Sequence, residues 1–227
     1  MKKLKLENRY RDFHFKRLKD SDFSHVWLLL YWPIYGILFI FVERFYSVTE
    51  YHITHFVLDD MIPFNEIFLV PYLLWFIYIA GMLILTFFFD IEGFKRMMKF
   101  IILTYTVAIA VYIIYPTCQN LRPTVFTHDN IMVSLVKKLY LIDTNTNVCP
   151  SIHVFGALAA MFTSWNSKAL PNKLWRGLST GISFLICLST VFIKQHSILD
   201  VLAALPLSLF AYYLFWKKDS HNIEHIQ

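Results

Sequence analysis

The run Cys149-Pro150-Ser151-Ile152-His153-Val154 sets a hydroxyl and a titratable imidazole two residues apart, just after a proline. Proline suits the first turn of a helix, where its missing N–H would have been unpaired anyway. A helix starting at Pro150 would aim the free amides near Ser151, Ile152 and His153 back toward its start. With the positive end of the helix dipole, these form an anion site. A second group lies further on, with Lys194, His196 and Asp200. His196 and Asp200 are four apart, hence on one helix face and within reach of each other. A carboxylate there can hold an imidazole in one tautomer and stabilise its protonated form. Two histidines, two cations (Arg122 and Lys194) and helix-start amides suit a phosphate group and require no metal.

The elements that must bring these residues together belong to a membrane. The 227 residues are 57% hydrophobic and only 16% charged, where a soluble chain is near a quarter charged. Long apolar runs predict six crossings, an all-α polytopic membrane protein with short loops and no attached soluble domain. The spans are expected from Val26 to Val42, from Ile67 to Phe89, and up to about Tyr115. A fourth runs from the Pro-Ser-x-His stretch to about Trp165, a fifth ends near Ile193, and a sixth covers Ile198 to Trp216. Residues 1–22 carry eight Lys and Arg interleaved with Tyr10, Phe13 and Phe15, and read as a basic segment on the membrane surface. The membrane domain then covers 23–218, and 219–227 form a polar tail. Most of the net charge of +5 sits in that N-terminal segment beside a span, so nucleic-acid binding is not the natural reading.

Charge sets the orientation. All but five of the 21 Lys and Arg fall on the same side as the N-terminus; the exceptions are Arg44, Arg122, Lys137, Lys138 and Lys194. The positive-inside rule then places both termini in the cytoplasm. Arg122, Ser151, His153, Lys194, His196 and Asp200 all come to the outer ends of the spans. Counting 20 helical steps from His196 to Trp216 gives roughly 30 Å, which puts His196 at the level of the outer headgroups.

Two connections carry further readings. Glu43 to Glu66 is polar and acidic, and reads as a solvated interfacial helix ending at Pro63; His52, His55 and Asp59, spaced by single helical turns, are the ingredients of a metal site as the alternative. The patch Ile131 to Leu141 reads first as loop packing and second as a short helix gating access. Cys118 and Cys149 share the longest loop, either as a disulfide joining two phosphate-binding segments or as free thiols. Cys187, in mid-span, reads as packing. The apolar outer surfaces fit lipid or a second copy of the chain equally well.

In this order, Arg122-Pro123, Pro150-Ser151-Ile152-His153, and Ser189, His196 and Asp200 resemble the three motifs of the type 2 phosphatidic acid phosphatase superfamily of membrane phosphatases and phosphotransferases. The resemblance spans the six-helix core. It implies that His196 attacks phosphorus, that Asp200 orients it, and that His153 protonates the leaving oxygen and then activates water. Arg122, Ser151 and the amide of Ile152 would hold the non-bridging oxygens, with Ser189 assisting; no cofactor is implied. Two motif cations are replaced, by Tyr115 and Thr190, and Lys194 is the expected compensating charge. The same losses resemble the sphingolipid-synthase branch, which transfers a headgroup to an alcohol. The expected substrate is a phosphomonoester or diphosphate on a lipid, such as phosphatidate, phosphatidylglycerol phosphate or polyprenyl diphosphate. A headgroup phosphotransferase of the inositol-phosphoceramide type is the alternative. A non-catalytic lipid-binding or transport protein would be expected to lack His153, His196 or Asp200, and all three are present.

Overall fold

Polar backbone in hydrocarbon must be satisfied within its own segment, so an apolar chain of this kind has helices as its natural solution. The computed structural model describes residue 10 and residues 15–217, and among these its apolar stretches are helical. Residues 1–9, 11–14 and 218–227, which hold most of the expected basic segment and all of the expected tail at 219–227, lie outside the described residues.

A tight 3-10 stretch, Ser21–Leu30, runs directly into α1 (Tyr31–Arg44). A one-turn helix α2 (Val57–Met61) precedes α3 (Leu69–Phe89) and α4 (Ile91–Ile114). The remaining helices are α5 (Ile131–Ile142), α6 (Ile152–Asn166), α7 (Lys173–Phe192) and α8 (Ile198–Tyr212), the last extended by a wider π turn to Lys217. Among the described residues, five helical stretches are long and apolar enough to cross a membrane: 21–44, 66–89, 91–114, 173–192 and 198–217. Their outward faces carry Ile37, Phe41, Ile77, Ile84, Leu209 and Phe210, all exposed. That much apolar surface suits lipid contact.

The expected fourth span forms α6, which is shorter than the five stretches above. α6 has 15 residues, or about 22 Å, short of a hydrocarbon core of about 30 Å. It starts at Ile152, with Ser151 as its N-cap and Pro150 outside it, rather than at Pro150. α6 is also the most enclosed helix, packed against α3, α4, α7 and α8, with both His153 and Ala160 buried. Gly156 permits this. A Cβ there would stand 2.8 Å from Trp75 Nε1 and 2.8 Å from Tyr105 Oη, and would collide with Ile79 Cδ1.

The expected interfacial helix ending at Pro63 is reduced to the single turn of α2, Val57–Met61. His52–Ile53 instead forms a short strand, β1, paired in parallel with Thr117–Cys118, β2. The patch from Ile131, read first as loop packing, is the amphipathic helix α5, capped by the Asn130 side chain, which accepts from Val133 N–H at 2.9 Å. At the opposite end of the bundle, Asp90 caps α4 and its carboxylate also accepts from Ser167 Oγ at 2.6 Å and Lys168 N–H at 2.9 Å. One buried carboxylate thus ties the α3–α4 turn to the α6–α7 turn.

Gly156→Ala is expected to lower stability by about 1–3 kcal/mol, the usual cost of overpacking a filled site. The thermal unfolding midpoint in detergent micelles checks this; an unchanged midpoint would mean that α3 and α4 part freely from α6.

Candidate active site

The first turn of α6 is held from outside by aromatic donors. Tyr112 Oη donates to Pro150 O at 2.7 Å, Tyr105 Oη to Ile152 O at 3.3 Å, and Trp75 Nε1 to His153 O at 2.9 Å. The His153 ring lies between those of Tyr72 and Trp75, with centroids 4.5 and 4.6 Å away. Among the helix-start amides, Ser151 N–H reaches across to Asp200 O at 3.2 Å, and Val154 N–H points at Ser151 Oγ at 3.5 Å. Those of Ile152 and His153 are left without a partner among the described residues, as the unsatisfied donors of a helix start.

The turn before α8 is built around two carboxylates. Ser197 and Asp200 form a capping box: Ser197 N–H donates to Asp200 Oδ2 at 2.9 Å, and Ser197 Oγ accepts from Leu199 N–H at 3.1 Å. Asp59, from α2, accepts from Ile198 N–H at 2.9 Å and from Ser197 Oγ at 2.5 Å. Thr190 O receives the amides of Gln195 and His196 at 2.9 and 3.0 Å. With its backbone fixed in this way, His196 directs Nδ1 at Asp200 Oδ2 (3.2 Å) and Nε2 at His153 Nδ1 (3.4 Å). The acceptor-only carboxylate holds the His196 proton on Nδ1, which leaves a lone pair on Nε2. Asp200 is fully buried, and its Oδ1 has no hydrogen-bond partner.

The cleft beside the two imidazoles is small, about 20 Å³, room for roughly one water. Its walls include Ile152, His153, Gln195, His196, Glu43 and Asp143. Sequence reasoning missed these two carboxylates and Gln195. Glu43 accepts from Thr146 Oγ1 at 2.8 Å and Asn147 Nδ2 at 3.0 Å, and Asp143 accepts from Tyr72 Oη. No spacing signal links them to the histidines, because each arrives on a different connection.

The structure brings together Ser151, Ile152, His153, His196 and Asp200. Arg122 comes close: its guanidinium donates to Gln195 Oε1 at 2.5 Å and to Asp143 O at 2.6 Å, and sits 4.3 Å over the Tyr140 ring. Its Nε is buried without a partner. Ser189 is not brought to the cleft, since its Oγ donates back to Ile186 O at 2.6 Å within α7. Lys194 also departs from its expected role. Its left-handed backbone (φ 55°) turns the ammonium away to the carbonyls of Asp59 (2.8 Å) and Ile62 (2.6 Å). Burial lowers its pKa, while Asp59 and Asp60 act the other way. The imagined metal set also diverges: His52 stacks on Tyr115 at 3.9 Å, His55 pairs with Asp60 at 3.0 Å, and Asp59 serves α8.

Cys118, Cys149 and Cys187 are free thiols. Burial first, then the facing Asp200 carboxylate, pushes the Cys149 thiol up to about 12. Because the raised pKa favours the neutral form, Cys149 stays a thiol across neutral pH and becomes reactive only as pH rises toward that value. Alkylation of the native protein near neutral pH is therefore expected to be slow at Cys149. Denatured, unreduced protein should take a label at each of the three cysteines, read by intact mass; a Cys118–Cys149 bond would leave both unlabelled.

Asp59→Ala would strip acceptors from Ser197 Oγ, Ile198 N–H and Phe56 N–H, at about 1–3 kcal/mol for each donor left buried and unpaired. Amide exchange at Ile198 and Leu199 should accelerate in this variant and less so in Asp59→Asn. Equal protection in wild type and Asp59→Ala would show that the turn stands without the clamp.

No family model matches the chain, and no curated protein or solved structure matches it.

Proposed function

We propose that this is a six-span membrane enzyme, with both termini cytoplasmic, that hydrolyses a phosphomonoester or diphosphate on a lipid at its extracytoplasmic face. The observation that carries this reading is the buried line Asp200–His196–His153 at the start of α6, with its 3.2 and 3.4 Å separations. An imidazole with a lone pair on Nε2, a second imidazole beside it and two open helix-start amides are the parts that phosphoryl transfer needs.

In the first step His196 Nε2 attacks phosphorus and the bond from phosphorus to the lipid oxygen breaks. That oxygen takes a proton from His153, giving a phosphohistidine and a free lipid alcohol or phosphate. In the second step water attacks phosphorus, gives its proton to His153, and the P–N bond breaks to release inorganic phosphate. Both residues return to their starting states. Asp200 holds the Nδ1 proton and offsets the positive charge that grows on His196. The amides of Ile152 and His153, with Arg122, face the non-bridging oxygens. The two imidazoles must part as phosphorus enters, because a cleft of about 20 Å³ is too small for a phosphoryl group.

A second reading, headgroup transfer to an alcohol, is favoured by one feature of the cleft. Glu43 and Asp143 line it while Tyr115 and Thr190 stand where the resembled motifs carry cations. Carboxylates there suit hydroxyl recognition better than a second anionic group.

The test is phosphate release by purified protein in excess chelator from phosphatidate, phosphatidylglycerol phosphate and a polyprenyl diphosphate. Release is expected from at least one, and His196→Ala should cut it by roughly three orders of magnitude or more. No release from any of them by folded protein, together with transfer from a phospholipid donor to inositol or ceramide, would establish the second reading instead. Neither activity would sink both.

A further inference from the structure

At the end of the bundle away from the histidines, a groove of about 810 Å³ opens between α3 and α7. Its walls are Ile77, Gly81 and Leu85 on α3 and Trp175, Leu178 and Ile182 on α7. The polar groups within it are already matched to each other, as Tyr78 Oη bonds Ser179 and also reaches Ser183 Oγ at 3.2 Å. The trough is therefore apolar in effect. Gly81 makes part of its depth, since a Cβ there would meet nothing within 4 Å. The volume falls in the range of preformed pockets for elongated small molecules.

Charge marks one end of the trough. The α6–α7 connection that closes it contributes Leu170 and Asn172 to the lining; Lys168 lies on that connection, and Lys173 and Arg176 on the first turn of α7 just after it. All three side chains are exposed and have no ion-pair partner among the described residues. The nearby carboxylate Asp90 is buried and already accepts from Ser167 and Lys168 N–H. Trp175, half exposed at the same level, has the amphipathic ring that settles at a headgroup boundary. An apolar trough that ends in three unpaired cations complements a molecule with a hydrocarbon tail and an anionic head.

We propose that this groove binds one anionic phospholipid from the leaflet at the basic end of the bundle, its acyl chain lying between α3 and α7 and its phosphate at Lys168, Lys173 and Arg176. The site is separate from the cleft at His153 and His196 and does not depend on the reaction proposed there. Its occupant is a bound lipid of the other leaflet, not a substrate of the histidines. Each cation near an anionic surface strengthens binding roughly fivefold.

The experiment uses the full chain in vesicles containing dibrominated phosphatidylglycerol or dibrominated phosphatidylcholine, whose bromines quench nearby tryptophans. The difference between wild type and Trp175→Phe isolates the Trp175 signal. Half-quenching is expected at a several-fold lower mole fraction of the glycerol lipid. Lys168→Gln, Lys173→Gln and Arg176→Gln together should remove that preference, and Gly81→Leu, which fills the trough, should weaken quenching by both lipids. The exposed, unpaired positions make the three glutamine changes safe for folding, so their result stands even if Gly81→Leu misfolds. Equal quenching by the two lipids, or a preference that survives the three substitutions, would overturn the proposal. So would a Trp175 shielded from both lipids in a cross-linked dimer, which would give this face to a second copy of the chain.

Discussion

A single buried carboxylate far from the histidines in sequence fixes the turn on which His196 stands. Asp59 accepts from Ser197 Oγ and Ile198 N–H, while its own carbonyl receives the Lys194 ammonium. An ionised carboxylate so enclosed survives only when its lone pairs are matched, and here the donors are the start of α8. The same constraint works in the other direction. Helix α8 begins against protein, and the amides at its start find their acceptors in Asp59 and Asp200. The Ser151 amide then donates to Asp200 O, which sets the start of α6 against the start of α8. The separation of the two imidazoles follows from these backbone contacts more than from any attraction between the rings.

Seen this way, Lys194 is a structural cation. Its two carbonyl acceptors draw the α2 loop onto the connection between α7 and α8, and its left-handed backbone lets the chain reverse between those helices. The positions where the resembled motifs carry cations have also been given local work. Tyr115 stacks on His52, and the Thr190 carbonyl receives the Gln195 and His196 amides. Positive charge at the cleft therefore rests on Arg122 and on the helix-start amides of α6, facing Glu43, Asp143 and Asp200. This balance separates the cleft from a simple anion trap.

The short α6 explains how such a polar site can be enclosed. A helix of 15 residues, surrounded by four others, can start well below the ends of its neighbours. The carbonyls at its start then lie level with the side chains of α3 and α4, where Trp75, Tyr105 and Tyr112 meet them. Gly156 allows the approach. An aromatic-rich composition, which in the sequence signals only a membrane, thus supplies the donors that hold the first turn of α6.

The apolar runs alone determined that the chain is helical, and where most helices begin and end, because backbone in an apolar medium has few other ways to satisfy itself. The motif spacings singled out His153, His196 and Asp200, although His196 stands in the turn before α8 and meets Asp200 across that turn and not along a helix face. Spacing could not show that Ser189 bonds back within its own helix, or that Lys194 turns away, because both outcomes depend on which carbonyl lies nearest in three dimensions. Nor could it find Asp59, Glu43 or Asp143 as parts of the site, since each reaches it from a different part of the chain, or see that Gln195, beside His196, lines the cleft and meets Arg122. The bounds of α6 were close to those expected from the sequence; what the sequence did not show is that four neighbours enclose it. Tertiary structure decided these points because a buried polar atom takes whatever partner the fold places beside it, wherever that partner lies in the chain.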